Sequence, residues 1–534
     1  MSLYILSLLA TIFTLSLWHV LHKGVFSSLS STLFYMCLIG YGLSAINLFM
    51  LDQISAPVIL RDIFVIAAIS TFFMFVKENL IISIAGLFML GSAMPTLYQY
   101  LKEQQTKPTP SPIETKSTPT PIEEAFLDGT FDEEISLEID KNGELLLEIN
   151  QGFSIADLNE LKETYGLKIS KAFDPIKVNQ TDLDDYFLLD ISHEHEKDIA
   201  LIIKTLQSKR AVEWVERNEV MYYEPIESIT DVIAPPIKKY AVNDPLVSEK
   251  WEYAALQFDK FYTYIKDQKI KPRKKAKLFI LDTGVDGEHE DLKKQFRAFD
   301  KNSSKDDVGH GTHCAGIAAA VSNNKLGVNS PVPNSRFVEV SGIKVLSGFG
   351  FGTQKMIIDG MIKAIDAGAD VISMSLGGKS TEAREKAYNE VVDYARLHNV
   401  IIITAAGNSA KDASLFCPAN SAGVIAVAAV GQDLKRTSFS NTLQHIKYGV
   451  SAPGKDILST YPNNEYKTYS GTSMAAPYVS GLVSVLRSVK PELSPDEAFR
   501  ILHSTGKITA DPFKTGHMIQ PFEAIKLLNE EMLN

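Results

Sequence analysis

Residues 1–100 carry only six charged side chains, Lys23, Asp52, Arg61, Asp62, Lys77 and Glu78, which sum to zero. Apolar stretches run over 3–21, 25–51, 58–76 and 80–98, each near the ~20 residues a helix needs to cross hydrocarbon. A cleaved signal peptide accounts for the first stretch and leaves three unexplained. A buried helical core is the other alternative, but these runs have no polar face. The expectation is an all-α transmembrane segment of three or four helices over 1–100, with the lipid bilayer as a partner. The third span is the least secure, because Arg61 and Asp62 sit near its start and only Lys77-Glu78-Asn79 separates it from the fourth. Lys23 and Lys77 lie in the first and third connections; if both face the cytoplasm, four spans put both chain ends outside. The remaining residues then work beyond the cytoplasmic membrane.

The chain has 534 residues, enough for three or four units at roughly 100–200 residues each. Residues 101–124 form a linker whose segment QQTKPTPSPIETKSTPTPIEE carries five prolines among threonines and serines. Such composition stays extended, with a reach on the order of 60 Å. Residues 125–225 then read as a small domain. Strand-like runs occur at 144–149, 167–169, 186–191 and 211–215, with helical patterns over 155–165 and 196–206. The order β-α-β-β-α-β predicts a ferredoxin-like α+β sandwich. Across 121–225, 25 acidic residues face 10 basic ones. That net of −15, within −11 for the whole chain, leaves +4 elsewhere. The acidity is either a solvated surface or a docking face for a less acidic partner in the same chain. The net charge of the chain, −11, argues against a nucleic-acid partner. Three cysteines, Cys37, Cys314 and Cys417, are too few for a disulfide scaffold.

After a second linker, 226–242, residues 243–534 alternate strand and helix. The runs 278–281, 337–340, 370–374, 400–404 and 424–429 are short and almost wholly apolar, as strands buried on both faces of a parallel sheet are. Helical stretches fall at 311–321, 354–367, 381–397 and 474–489. A three-layer α/β domain follows, with function at the carboxyl ends of its strands. Asp282 ends one strand in LDTGVD, His310 opens HGTHCAGIAAA, and Ser473 sits in GTSMAAP before a long helix. A serine needs a base to take its proton, and the base needs a carboxylate to fix its tautomer. Asn408, in TAAGN, offers a side-chain amide for a developing oxyanion, and the Ser473 N–H offers a second donor. Taken singly, each signal has another meaning. DTG marks pepsin-like proteases, but those need two copies. His310, His313 and Cys314 could suggest a metal, but no HExxH pattern is present. Position 475 is Ala, so Ser473 is not in a G-x-S-x-G elbow.

Together, DTGVD, HGTHCAG, SLGG, AAGN and GTSMAAP, in that order over roughly 243–525, resemble the subtilisin-like serine proteases, with a His motif similar to the proteinase K branch. The resemblance implies a subtilisin-like catalytic domain, an Asp282-His310-Ser473 triad and Asn408 as oxyanion donor. It implies that Gly350, Phe351 and Gly352 pair with a peptide or protein substrate from one side, and Ser375, Leu376 and Gly377 from the other. It further implies a Ca²⁺ site using Asp291, Asn324 and the backbone of Leu326 and Val328; otherwise Asp291 caps the following segment. Cys314 is expected as a buried thiol, with a Cys314–Cys417 bridge as the alternative. Phe416 aligns with the floor of the primary specificity pocket, where an aromatic ring would favour small side chains.

Residues 144–224 resemble the inhibitor-type propeptide of this family, a partner in cis that templates folding and leaves its tail in the active site. The usual cut falls near Tyr223 or Glu224, yet Pro225 follows, and proline opposes cleavage directly before it. The expected protein is a membrane-anchored serine endopeptidase. Its rival is a catalytically silent membrane sensor or scaffold, permanently plugged by the acidic domain.

Overall fold

The computed structural model describes residues 143–222, 226–227, 240–348 and 350–533. All lie in the second of the two units into which the chain divides, Pro119–Asn534. The apolar stretches of 1–100, the Pro/Thr-rich linker and the residues around the expected cut, 223–225, fall outside the described residues. Among the described residues, no helix is long and apolar enough to cross a membrane.

Four strands build the small domain: β1 (Leu145–Ile149), β2 (Lys168–Lys171), β3 (Tyr186–Asp190) and β4 (Val212–Arg217). They form an antiparallel sheet in the order β2-β3-β1-β4. Helix α1 (Asn159–Thr164) follows β1, and α2 (Ile199–Gln207) follows β3. Side chains alternate along a strand, and β1 uses both faces. Leu145, Leu147 and Ile149 pack with Leu161, Ile202 and Leu206 in the domain's own core. Leu146 points the other way and joins Phe173 and Tyr186 in a core shared with Ile357, Met361, Tyr388 and Val391 of the following domain. Two short strands, β5 (Val220–Tyr222) and β6 (Ile226–Glu227), carry the chain onward. The first two residues of the segment expected as linker are therefore a strand, because their backbone finds a partner edge.

The following domain contains β7 (Ala276–Asp282), β8 (Val338–Lys344), β9 (Phe351–Thr353), β10 (Val371–Met374), β11 (Gly378–Lys379) and β12 (Ile401–Ala405). It continues with β13 (Phe416–Cys417), β14 (Ile425–Val430), β15 (Gly449–Pro453), β16 (Ile457–Tyr461) and β17 (Glu465–Ser470). Its longer helices are α3 (Phe258–Asp267), α4 (His310–Ala319), α5 (Gln354–Asp366), α6 (Glu382–Leu397), α7 (Thr472–Val489), α8 (Pro495–Thr505) and α9 (Pro521–Leu533). A six-stranded parallel sheet runs β15-β14-β12-β10-β7-β8. Leu278 and Ile280 of β7 face α3, α4 and α7, while Phe279 and Leu281 face α5 and α6. Both faces of the sheet are covered, so the central strands read as unbroken apolar runs. The result is a subtilisin-like three-layer α/β domain.

Candidate active site

Asp282 is the last residue of β7 and His310 the first of α4, and both are fully buried. His310 Nδ1 lies 2.7 Å from Asp282 Oδ1, a separation that fixes Nδ1 as the donor and leaves Nε2 the basic nitrogen. The approach depends on Gly311: a Cβ there would sit 2.0 Å from the Gly284 carbonyl oxygen and 3.0 Å from Asp282 Cβ. Asp306, which the sequence did not single out, holds the loop before α4. Its carboxylate accepts from Thr283 Oγ1 at 2.8 Å, Gly309 N at 2.8 Å, and Thr312 N and Oγ1 at 2.8 and 2.7 Å. Thr283 Oγ1 in turn accepts from Gly311 N at 3.0 Å. No local pattern marks it, since Asp306 stands three residues before the N-cap, Gly309.

Ser473 enters α7 in its first turn, 6 % exposed. Its hydroxyl donates to the Ser375 carbonyl at 3.2 Å, and its own carbonyl accepts from Ser375 Oγ at 2.8 Å. Cys314 lies between serine and histidine, its Sγ 3.4 Å from Ser473 O and 3.8 Å from His310 Nε2. Asn408 follows β12, and its Oδ1 accepts from Thr472 N at 2.9 Å and Thr472 Oγ1 at 2.8 Å. That grip turns the amide nitrogen toward Gly471. A Cβ at Gly471 would stand 3.4 Å from Asn408 Nδ2 and 3.6 Å from Ser473 N. Two donors thus converge where an oxyanion could sit.

Of the segments expected to bind peptide, one is paired by the chain itself. Strand β5 pairs antiparallel with β9, setting Val220 opposite Thr353, Met221 opposite Gly352 and Tyr222 opposite Phe351. Strand β6 pairs with the end of β17, Ile226 opposite Ser470 and Glu227 opposite Tyr469. Of the residues expected to hold substrate, Phe351 and Gly352 belong to β9 and Gly350 precedes it. Ser375, Leu376 and Gly377 are not a strand; regular pairing begins one residue later, where Gly378 faces Cys417 and Lys379 faces Phe416. Ser375 is committed to Ser473 instead. Phe416 is engaged in that pairing and is half-buried.

No disulfide links Cys314 to Cys417: both are free and buried. Cys314 packs on His310, whereas Cys417 Sγ lies 3.8 Å from the Gly378 carbonyl. Burial pushes the Cys417 thiol up to about 12 and the Cys314 thiol well above its usual value, so neither is an activated nucleophile. A metal on His310, His313 and Cys314 does not fit. His313 turns its Nε2 to the Lys467 carbonyl at 2.9 Å, and burial lowers its pKa to about 3.

The four residues expected at a calcium site do meet. Asp291 Oδ1 accepts from Asn324 Nδ2 at 2.7 Å and Oδ2 from Val328 N at 2.8 Å, while Asn324 Oδ1 accepts from Leu326 N at 2.7 Å. Asn324 therefore presents nitrogen to Asp291, the reverse of what a cation needs. The surroundings still favour a cation. Burial, with Asp244 and Glu290 nearby, pushes Asp291 up to about 7. Among the described residues, no donor reaches the Leu326 or Val328 carbonyl. Buried charge and open carbonyl oxygens of this kind suit Ca²⁺.

A buried Asp–His pair, a serine at a helix N-terminus and two converging N–H donors on a parallel α/β sheet define a serine peptidase. The family model of the subtilases matches residues 273–517. Subtilisin DY of Bacillus licheniformis is 39% identical over 255 residues, 47% of this chain and 90% of that protein. Thermitase of Thermoactinomyces vulgaris is 39% identical over 222 residues, 40% of this chain and 75% of that protein. A solved protease structure from Pseudoalteromonas arctica aligns with a TM-score of 0.47 and 27% identity, over 54% of this chain and 99% of that one. The chain belongs to the subtilase family, and it is a serine endopeptidase.

Proposed function

We propose that this is a membrane-anchored, extracytoplasmic endopeptidase held latent by its own acidic domain, residues 125–225, a ferredoxin-like propeptide that acts as folding template and inhibitor. In the proposed chemistry Ser473 turns its hydroxyl from Ser375 toward His310 Nε2 and attacks the peptide carbonyl. His310 takes the serine proton and passes it to the leaving amine, while Asp282 holds the ring and stabilises the imidazolium. Asn408 Nδ2 and Ser473 N–H bind the oxyanion. Water then releases the acyl group, its proton passing through the same histidine.

The observation that carries latency is the pairing of β5 with β9 and of β6 with β17. Only residues 223–225 separate the two pairings, and β17 ends at Ser470, three residues before Ser473. A chain gripped on both sides by β-augmentation is a peptide in a protease cleft. Pro225 then acts as a brake, since a bond before proline is a poor substrate, and release requires a cut elsewhere in 226–243. Further support comes from the N-terminus of α5. Its exposed donors are met by the small domain, Gln354 N giving to the Glu219 carbonyl at 3.2 Å and Lys355 N to Asn218 Oδ1 at 3.2 Å.

The test is fluorophosphonate labelling of the purified full chain with mass spectrometry of residues 224–243. We expect slow labelling of Ser473 that accelerates once this region is cut, and none in Ser473→Ala, which keeps its fold. An intact chain that never labels, before or after removal of the acidic domain, makes the protein a silent scaffold instead.

We also propose a calcium site, as the subtilase resemblance implies. Here Asp291, the Asn324 oxygen and the carbonyls of Leu326 and Val328 would hold it, where it would neutralise buried charge and brace the loop. We expect a calcium-dependent rise in thermal midpoint that EDTA reverses and Asp291→Asn eliminates. An unchanged midpoint in wild type removes the ion from the account.

A further inference from the structure

We propose that Arg384 is an anion-binding specificity residue of the peptide cleft, selecting substrates with an acidic side chain two positions N-terminal to the apolar residue that pairs with Gly352. This rests on residues 219–222 occupying the cleft as a substrate does.

Arg384 lies in the first turn of α6 and is 3 % exposed. Its guanidinium donates to the Lys379 carbonyl, to Gln354 Oε1 at 3.4 Å, and to the carboxylate of Glu219 in the small domain. Among the described residues, Glu219 is the only carboxylate within ion-pair distance of Arg384. The neighbouring Glu385 is turned away, its Oε1 bound to Ser380 Oγ and, at 2.9 Å, to Asn420 Nδ2. When residues 219–222 leave, Arg384 therefore loses its counterion. A ligand carboxylate in the same place restores the charge-assisted pair.

The register makes this a subsite rather than an isolated bridge. Glu219 and Met221 stand two residues apart on extended chain and so point to the same side. Met221 is 5 % exposed, in the apolar cluster that holds Leu346 and Leu376. Gly378 separates the two seats: a Cβ there would meet Met221 Sδ at 2.9 Å and Arg384 Nη1 at 3.2 Å. The Gln354 N–H to Glu219 carbonyl bond extends the β5–β9 ladder by one step. An incoming peptide with the pattern acid-x-apolar meets the same cation, the same ladder and the same pocket.

The experiment uses the full chain, with rates expressed per fluorophosphonate-labelled serine. Two fluorogenic peptides carry residues 219–224 before the scissile bond, one with Glu and one with Gln at the first position. We expect kcat/KM to favour the Glu peptide by about 10- to 100-fold, the range of a charge-assisted hydrogen bond. In Arg384→Gln the ratio should fall to near 1, and in Arg384→Glu a Lys peptide should be preferred. A role in folding alone would lower the labelled fraction without moving these ratios. Equal rates on both peptides in the wild type overturn the proposal, as does a preference that survives in Arg384→Gln. Occupancy in cis is read separately: Glu219→Gln should speed labelling of the uncut chain. Peptide discrimination without that change retains the subsite and rejects cis occupancy.

Discussion

Two histidines one helical turn apart in α4 differ in everything their side chains meet. His310 finds Asp282 at 2.7 Å; His313 meets the Lys467 carbonyl and the Tyr469 ring, and burial keeps it neutral down to about pH 3. Only the first has the carboxylate that orients a catalytic base. Asn408 is fixed with similar economy, because Thr472 takes its oxygen and leaves its nitrogen for the substrate. Asn408→Ala should therefore lower kcat by about 10²–10³-fold with KM little changed, the range one oxyanion donor carries in subtilisins. A variant that loses KM and keeps kcat would instead make Asn408 a ground-state binder. Asp282, His310, Ser473 and Asn408 were legible because each sits among small residues at a strand end or helix start. Asp306 was not, since its worth arises only when Thr283, Gly309 and Thr312 close around it. The Asn324 amide was likewise out of reach, because sequence names a side chain without saying which end it presents.

At the scale of elements, the sheet face of the small domain lies against α5 and α6. Glu216 donates nothing and accepts from Gln354 Nε2 at 2.8 Å and Thr381 Oγ1 at 3.4 Å, with Arg384 as the nearby cation. Burial at this face outweighs those partners and raises its pKa from 4.5 to about 6. A group whose pKa is raised on docking favours the docked state fully below its free value, and that contribution disappears as pH rises through the docked value. Latency should accordingly weaken between about pH 4.5 and 6, with labelling of the uncut chain rising about tenfold more than that of the cut chain. Glu216→Gln should remove that excess; an unchanged profile in this variant would place the pH response elsewhere. Acids of the described part of this domain meet cations of the next, Lys386 reaching Glu148 at 2.8 Å and Glu213 at 3.1 Å. The inner strands β7, β10, β12 and β14 were legible from unbroken apolar runs. The β16–β17 hairpin, ILSTY and EYKTYS, was not, because its buried positions include Ser459 and Thr460, polar residues that bond the His313 and Thr312 carbonyls of α4. Helices α3, α8 and α9 also went unread, since their apolar stripes are short and interleaved with charge.

For the whole molecule, the sequence segregates its charge more sharply than its average suggests: six charged side chains in the first hundred residues, and 25 acidic against 10 basic across 121–225. If the apolar stretches span a bilayer as proposed, the proline-rich spacer after them puts the catalytic domain on a tether. Anchoring should be separable from chemistry. The full chain is expected to stay with membranes through carbonate and high-salt washes, which strip proteins held by charge alone, and to need detergent for release. Limited proteolysis within 104–124 should free a fragment beginning in the linker. That fragment should retain its fluorophosphonate labelling and, per labelled serine, its kcat/KM on a soluble peptide. Its rate on a membrane-bound substrate should fall, because the tether no longer holds enzyme and substrate at high effective concentration. Release of the uncut chain by carbonate alone would remove the anchor. A loss of soluble-peptide activity on cutting the linker would instead make the apolar segment part of the catalytic unit.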